Sequence, residues 1–125
     1  MQFNFNNGIY RVVRITGPTH NFLGLAFWTP QEKEGDAVSV EPLTIKPNEP
    51  VRLDAEDVRE EVLEGVREAN AQLRANYRPS RIQFVPSDSR PAEIYRMLAR
   101  RIVERLHHHP DRSEEHTSEL QSLAY

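Results

Sequence analysis

A chain of 125 residues has room for one hydrophobic core and is too short for two domains of ordinary size. It has no cysteine, which excludes disulfides and thiolate metal sites and is typical of the cytosol. Its charge is divided, because residues 1–73 carry 7 Lys+Arg and 12 Asp+Glu whereas residues 74–106 carry 8 Arg and 3 acidic residues. No apolar run approaches the roughly 20 residues of a membrane span, and no signal-peptide pattern opens the sequence. We therefore expect a single soluble domain in the cytoplasm.

The first half of the chain has the residue pattern of β-strands. Residues 7–16 begin at an Asn-Gly turn signal and are rich in β-branched and aromatic residues. Residues 22–28 form a nearly continuous apolar run, which suits a central strand covered on both faces. The polar residues 29–36 predict a hairpin loop, and residues 37–45 follow as a strand in which Pro42 indicates a sheet edge or a bulge.

The second half changes to helical spacing. Residues 54–77 place Asp54 at a helix N-cap and form one apolar stripe, in which Gly65 predicts close packing of a second helix. A short strand at 80–85 leads into a loop whose Asp88 or Ser89 is expected to cap a second helix at 91–106. This order predicts an α+β domain, in which two helices pack on one side of an antiparallel sheet of four to five strands.

The C-terminal residues differ in composition from everything before them. Residues 112–122 read RSEEHTSELQS, which resembles the in-frame translation of a common short-read sequencing adapter. We therefore expect one natural domain at 1–111 and a non-native tail at 112–125, whose residues are given no role. The alternative interpretation is a natural polar tail. If the tail is foreign, its removal should leave folding and ligand affinity unchanged.

Residue patterns for catalysis are weak. The sequence has no nucleophile elbow, no glycine-rich phosphate loop and no HExxH motif. The run of three histidines at 107–109 cannot aim all three rings at one metal ion from a regular helix, because neighbouring residues point about 100° apart. His20 has the chemistry of an acid or base, but no carboxylate neighbours it in sequence, and a loop or capping role is the simpler interpretation. We therefore expect no catalytic residue, no metal site and no cofactor.

Residue patterns for anion binding are stronger. The loop at 86–91 enters a helix whose free N–H groups and dipole favour an anion. Arginine forks suit phosphate, and aromatic rings suit a base. The predicted ligand site therefore has Arg90 and Arg96 on phosphate oxygens, Tyr95 or Phe22 stacked on the base, and Asn21 on a base edge or ribose hydroxyl. His20 completes the second wall and Arg100 lies further along the helix. The alternative interpretation is an ordinary capped helix with Tyr95 half-buried.

The sequence also resembles a known family. The stretch YRVVRITGPTHNFLGLAF and the later IQFVPSDSRPAEIY, with the helices around it, are similar to phage Thoeris anti-defence sponge proteins over residues 8–106. The resemblance implies a protein that sequesters cyclic ADP-ribose isomers, and in some members cyclic oligonucleotides, without cleaving them. It also implies a dimer or larger symmetric assembly with ligand pockets between subunits. The family's ligand residues do not align one by one with this chain.

A second resemblance implies a different class of function. The helix-strand-helix layout around VLEGVREANAQL and IQFVPSD is similar to the fourth domain of translation elongation factor G, which implies RNA contact. The basic residues of 74–106 would suit RNA, whereas the acidic first helix would repel it. The sequence therefore predicts a phage protein that sequesters a cyclic nucleotide in the host cytoplasm, with an RNA-contacting module as the alternative.

Overall fold

In the computed structural model of the chain, the residues described are 1–29, 37–44 and 47–108. The predicted tail at 112–125 lies outside them, as does most of the predicted loop at 29–36. The elements in chain order are β1 (Gln2–Asn6), β2 (Ile9–Thr16), β3 (Thr19–Phe27), β4 (Ser39–Pro42), α1 (Ala55–Leu73), β5 (Pro79–Phe84) and α2 (Ile94–His108).

The five strands form one sheet in the order β1-β2-β3-β5-β4. Every neighbouring pair is antiparallel except β4 and β5, which run parallel. The α+β class, the strand number and a mostly antiparallel sheet are confirmed, but the antiparallel expectation does not hold for the pair β4–β5. The predicted hairpin between β3 and β4 is also wrong, because β5 lies between them. Helix α1 connects β4 to β5, and a helical crossover is the usual link between parallel strands.

Local sequence signals account for much of this layout. The Asn7-Gly8 turn joins β1 to β2 with φ angles of 55° and 78°, the conformation that a two-residue hairpin turn requires. The apolar run of β3 lies in the centre of the sheet, as predicted, and Pro42 lies in the edge strand β4. Strand β1 was not predicted, because its two phenylalanines alternate with asparagine and glutamine and give a weak pattern.

Helix α1 begins and packs as its sequence predicts. The Asp54 side chain accepts hydrogen bonds from the backbone N–H groups of Glu56 and Asp57, at 3.1 and 3.2 Å. Gly65 lies against α2, where a β-carbon at this position would be 2.3 Å from the backbone oxygen of Arg96. The expectation of close helix packing at Gly65 is therefore confirmed. The helix ends at Arg74, which has the left-handed conformation with φ 56°.

Both helices cover the same face of the sheet. The buried cluster joins Leu23 and Phe84 of the sheet to Val62 of α1 and Leu98 of α2. We call the opposite side of the sheet the distal face; the cross-strand row Arg11, Gly24, Gln83 and Glu41 lies there. The caps expected for α2 are not found, because Asp88 and Ser89 bind β3 instead.

A bidentate ion pair on the distal face holds the edge strand β4 to β5. The Glu41 carboxylate accepts from Nε and Nη2 of Arg81, both at 2.9 Å, and from Gln83 at 3.0 Å. The Arg81 hydrogen bonds, followed by the Gln83 bond, lower the pKa of Glu41 from 4.5 to about 2. A carboxyl whose folded pKa is lowered stabilises the fold above its unfolded pKa, and this contribution is lost as the pH falls from about 4.5 to about 2.

Replacing Glu41 with glutamine should therefore cost about 0.5–1 kcal/mol at pH 7, the range of a well-formed surface ion pair. The difference from the wild type should shrink between pH 4.5 and pH 2, where the wild-type carboxyl also becomes neutral. Urea unfolding of both proteins at pH 7 and at pH 3 measures this. If the difference in the free energy of unfolding between the two proteins stays constant with pH, the ion pair of Glu41 and Arg81 is not the stabilising interaction.

Candidate functional site

The two predicted walls of the ligand site meet at the junction of β3 with the loop after β5. Asp88 is buried, and its Oδ2 accepts from the backbone N–H of Phe22 at 2.8 Å. Its Oδ1 lies 3.0 Å from Nδ1 of His20, and because a carboxylate can only accept, the imidazole donates. His20 thus has a carboxylate partner 68 residues away along the chain. The His20 side chain is 47% exposed, whereas Asp88 is buried.

Further hydrogen bonds close the junction. The backbone N–H of His20 donates to Ser89 Oγ at 3.1 Å, and the N–H of Ser89 donates to the His20 carbonyl at 3.0 Å. The buried Asn21 donates from Nδ2 to the Ser89 carbonyl at 2.8 Å and to Tyr95 Oη at 3.3 Å. These bonds span the space in which a ligand was expected. His20 and Asn21 therefore lie beside the predicted wall and fasten it to β3.

Tyr95 is a core residue in this structure. Its relative exposure is 0%, and its ring belongs to the cluster between the helices and the sheet. Burial raises the pKa of its phenol, which keeps the hydroxyl protonated as a partner for Asn21. Neither the expected stacking of Tyr95 on a base nor the alternative of a half-buried ring fits complete burial. Its ring faces are occupied by packing.

The two arginines expected on α2 bind carboxylates of α1. Arg96 Nε donates to Glu61 Oε1 at 2.9 Å, and its Nη1 lies 3.7 Å from Glu68. Arg100 Nη1 donates to the same Glu68 at 3.4 Å. The hydrogen bond that Arg96 donates to Glu61 raises the pKa of Arg96, so its charge is compensated within the protein. A phosphate would have to displace these carboxylates, and we therefore assign both arginines to the packing of α1 against α2.

Arg90 and Phe22 lie apart from each other. Arg90 is exposed and lines a groove of about 780 Å³ at the N-terminal end of α1, where carboxylates outnumber arginines. That excess of negative charge opposes a phosphate ligand. Phe22 is half-buried on the distal face, on the opposite side of the sheet from the helices. The residues predicted for one pocket thus occupy the junction, the core, the helix pair, an acidic groove and the distal face.

A groove rich in aromatic residues lies at the opposite end of β3 from the junction with the loop after β5. The Phe5 and Tyr10 rings stack with centroids 4.2 Å apart, and Tyr10 lies 5.9 Å from Phe27. Phe27 makes an edge contact with Tyr77 at 5.8 Å, and Tyr77 makes another with His107 at 6.0 Å. We call this the aromatic groove. Its volume is about 860 Å³, and its lining includes Phe5, Gly8, Tyr10, Phe27, Trp28, Tyr77, Arg78 and His107.

Hydrogen bonds fix the walls of the aromatic groove. The Asn70 side chain binds both the N–H and the carbonyl of Tyr77 at 2.9 Å, which holds the chain just after α1. The Tyr77 hydroxyl lies 3.2 Å from Nδ1 of His107. Trp28 donates from its indole N–H to the Ala37 carbonyl at 3.0 Å, and its backbone N–H donates to the Arg78 carbonyl at 2.9 Å. The rings are therefore held by the backbone and by each other.

The sequence reading missed this groove because its rings come from separate segments. Each ring alone fits the alternation of a strand or the end of a helix. The available signal was the crowding of aromatic residues at the ends of consecutive elements: Phe5, Tyr10, Phe27, Trp28 and Tyr77. Which strand ends lie side by side depends on the strand order of the sheet. The sequence does not give that order, so the grouping of these five aromatic residues could not be predicted from it.

Comparison of the chain with protein-family models, with curated proteins and with solved structures gave no match. The two resemblances described above therefore stay predictions. Among residues 1–29, 37–44 and 47–108, no group of three or more His, Asp or Glu side chains is arranged to hold a metal ion. Within the same ranges, neither helix has the length and apolar character needed to cross a bilayer.

Proposed function

We propose that the chain is a phage anti-defence protein that binds and sequesters a cyclic nucleotide immune signal without cleaving it. The proposed ligand is a cyclic ADP-ribose isomer, with cyclic oligonucleotides as further ligands, and the proposed place of action is the cytoplasm of the bacterial host. The observation that carries this proposal is the aromatic groove, because the bases of such a ligand need ring faces to stack on.

The size and chemistry of the aromatic groove support a nucleotide ligand. Small-molecule sites usually have volumes of roughly 300–1,000 Å³, and this groove has about 860 Å³. Stacking of a base on an aromatic ring contributes roughly 1–3 kcal/mol. The last turn of α2 carries Arg105, His107 and His108 and reaches the groove at His107. A basic border of this kind favours the phosphates of the ligand.

We also propose that the protein acts as a homo-oligomer, at least a dimer, because a groove open on one side encloses a charged ligand better between two subunits. The apolar stripe on α2 is taken up inside the domain, since Leu98 and Ile102 are buried there, and it does not serve as a contact surface. The flank of β3 on the distal face, around the half-buried Phe22 and the exposed Ile15, is the remaining candidate.

Trp28 provides a direct test, because it is the single tryptophan of the chain and it lines the aromatic groove. Adding a cyclic ADP-ribose isomer or a cyclic dinucleotide should change the Trp28 emission with a saturable dependence on concentration. Phe5→Leu should weaken that binding about tenfold, the equivalent of about 1.4 kcal/mol of lost stacking. Phe3→Leu is the matched control, since it makes the same change in the same strand at a residue that does not line the groove, and it should leave the affinity unchanged.

The same samples separate the alternatives. Ligand recovered after heat denaturation should be chemically intact, and recovery of a cleaved product would establish an enzyme instead. Binding of structured RNA alone, with a steep dependence on salt, would favour the RNA-contacting module. If Phe22→Leu weakens binding and Phe5→Leu does not, the ligand site lies at the distal face. Light scattering at micromolar concentration should give at least the mass of a dimer, and a monomer mass would contradict the proposed assembly.

A further inference from the structure

The distal face of the sheet brings two arginines toward each other over small residues. Arg11 of β2 is paired across the strands with Gly24 of β3, and Arg81 of β5 is paired with Ala26 of β3. Direct cross-strand partners have their side chains on the same face, so both guanidinium groups project from the distal face. Gly24 and Ala26 lie between the two arginines. Neither has a long side chain, and both are buried.

The floor between the two arginines is closed and includes the polar side chain of Gln83. A β-carbon added at Gly24 would lie 3.1 Å from Gln83 Oε1 and 3.2 Å from Cγ2 of Ile9, so these two side chains already cover the glycine. The Gln83 amide is held in place by its hydrogen bond to Glu41 at 3.0 Å. The surface here is therefore a shallow floor with two longer guanidinium side chains at its sides.

The two arginines differ in how their charges are compensated. Arg81 forms the bidentate pair with Glu41, whereas Arg11 donates from Nη1 to the Asn6 carbonyl at 3.2 Å. Within residues 1–29, 37–44 and 47–108, no carboxylate lies within 4.0 Å of the Arg11 guanidinium. Partial burial, followed by the positive charge of Arg81, lowers the pKa of Arg11. Arg11 is thus a partly desolvated cation beside a second cation, and no carboxylate of the described part of the chain pairs with it.

We propose that Arg11 and Arg81 form a binding site on the distal face for the phosphate group of a small phosphorylated ligand. A guanidinium presents parallel N–H donors that match two phosphate oxygens, so Arg11 would hold the phosphate through two charge-assisted hydrogen bonds. Arg81 keeps its pair with Glu41 and contributes charge beside the site, whereas the hydrogen bonds to the phosphate come from Arg11. The site lies on the opposite face of the sheet from the helices and does not depend on the nucleotide function proposed for the aromatic groove.

The test uses inorganic pyrophosphate and inorganic phosphate as probes, with sodium chloride adjusted to keep the ionic strength constant. Pyrophosphate should bind saturably in titration calorimetry and raise the melting temperature of the wild-type protein. Arg11→Gln should weaken this binding at least tenfold. Arg11→Lys keeps the charge without the fork and should give an intermediate affinity, which keeps the test valid if Arg11→Gln does not fold. Arg101→Gln, at an exposed position of α2, is the matched control and should bind as the wild type does.

Several outcomes would overturn the proposal. Absence of saturable pyrophosphate binding to the wild type would do so, as would equal affinity in the wild type and Arg11→Gln. Arg11-dependent binding of a single-stranded oligonucleotide without binding of pyrophosphate would assign the face to nucleic acid instead. Phe5→Leu should leave pyrophosphate binding unchanged, because Phe5 lines the aromatic groove and does not belong to the distal face, and this separates failure of the phosphate site from failure of the proposed nucleotide function.

Discussion

Replacing Gly65 with alanine should lower the free energy of unfolding by about 2–3 kcal/mol, although alanine is the better helix former. The added β-carbon would lie 2.3 Å from the backbone oxygen and 3.0 Å from the carbonyl carbon of Arg96. The obstacle is backbone, which cannot turn aside as the end of a side chain can, so α2 must move away from α1. Overpacking of this kind typically costs about 1–3 kcal/mol, and the loss of neighbouring contacts adds to it.

Helix propensity alone predicts the opposite sign for this substitution. Alanine in place of glycine within a helix should gain about 1 kcal/mol when nothing else changes. Ala71→Gly, at an exposed position of the same helix, isolates that effect and should cost about 1 kcal/mol. Denaturant unfolding of both variants against the wild type decides the sign. A Gly65→Ala protein as stable as the wild type, or more stable, would show that the two helices separate without cost.

Features that depend on neighbouring residues could be predicted from the sequence. The Asp54 side chain accepts hydrogen bonds from backbone N–H groups within three residues of it, and Pro42 marks an edge strand because proline cannot donate to a second neighbour. Gly65 stood out because it interrupts an apolar stripe that otherwise favours larger side chains. In each case the structural feature is determined by residues that lie close together in the sequence.

Features that depend on the topology could not be predicted in this way. Strands that follow each other in sequence usually pair, and this tendency led to the expectation of a hairpin between β3 and β4. The actual partner of both strands is β5, which comes after α1 in the chain. Likewise, Asp88 was assigned as a helix cap because its position just before a helix suits one. Its real partners are Phe22 and His20, more than sixty residues away.

The distinction between binding arginines and packing arginines also depends on the topology. Arg96 and Arg100 resemble a phosphate site when α2 is considered alone. Once α1 lies beside it, Arg96 pairs with Glu61 and Glu68, and Arg100 pairs with Glu68. The acidic face of α1 therefore compensates part of the basic face of α2. Part of the separation of acidic and basic residues along the sequence is therefore explained by ion pairs between α1 and α2.

Asp88→Ala is the second substitution from which we expect a large effect, a loss of about 3 kcal/mol in the free energy of unfolding. The carboxylate is buried and accepts from the Phe22 N–H and from His20. Hydrogen bonds to a charged group each contribute about 1.5–3 kcal/mol, and a buried donor left without a partner costs about 1–3 kcal/mol. Alanine removes both bonds and leaves the Phe22 N–H without an acceptor.

Two control variants separate this effect from a general sensitivity of the loop. Ser89→Ala removes one hydrogen bond to the His20 N–H at a half-buried position and should cost about 1 kcal/mol or less. His20→Ala keeps the hydrogen bond between Asp88 and the Phe22 N–H, so its loss in the free energy of unfolding should lie between those of Ser89→Ala and Asp88→Ala. Amide hydrogen exchange gives a second measure, because the Phe22 N–H should lose protection in Asp88→Ala and retain it in His20→Ala. If Asp88→Ala unfolds at the same denaturant concentration as Ser89→Ala, the buried carboxylate does not hold the loop to β3, and the junction is stabilised by its backbone bonds and by Asn21.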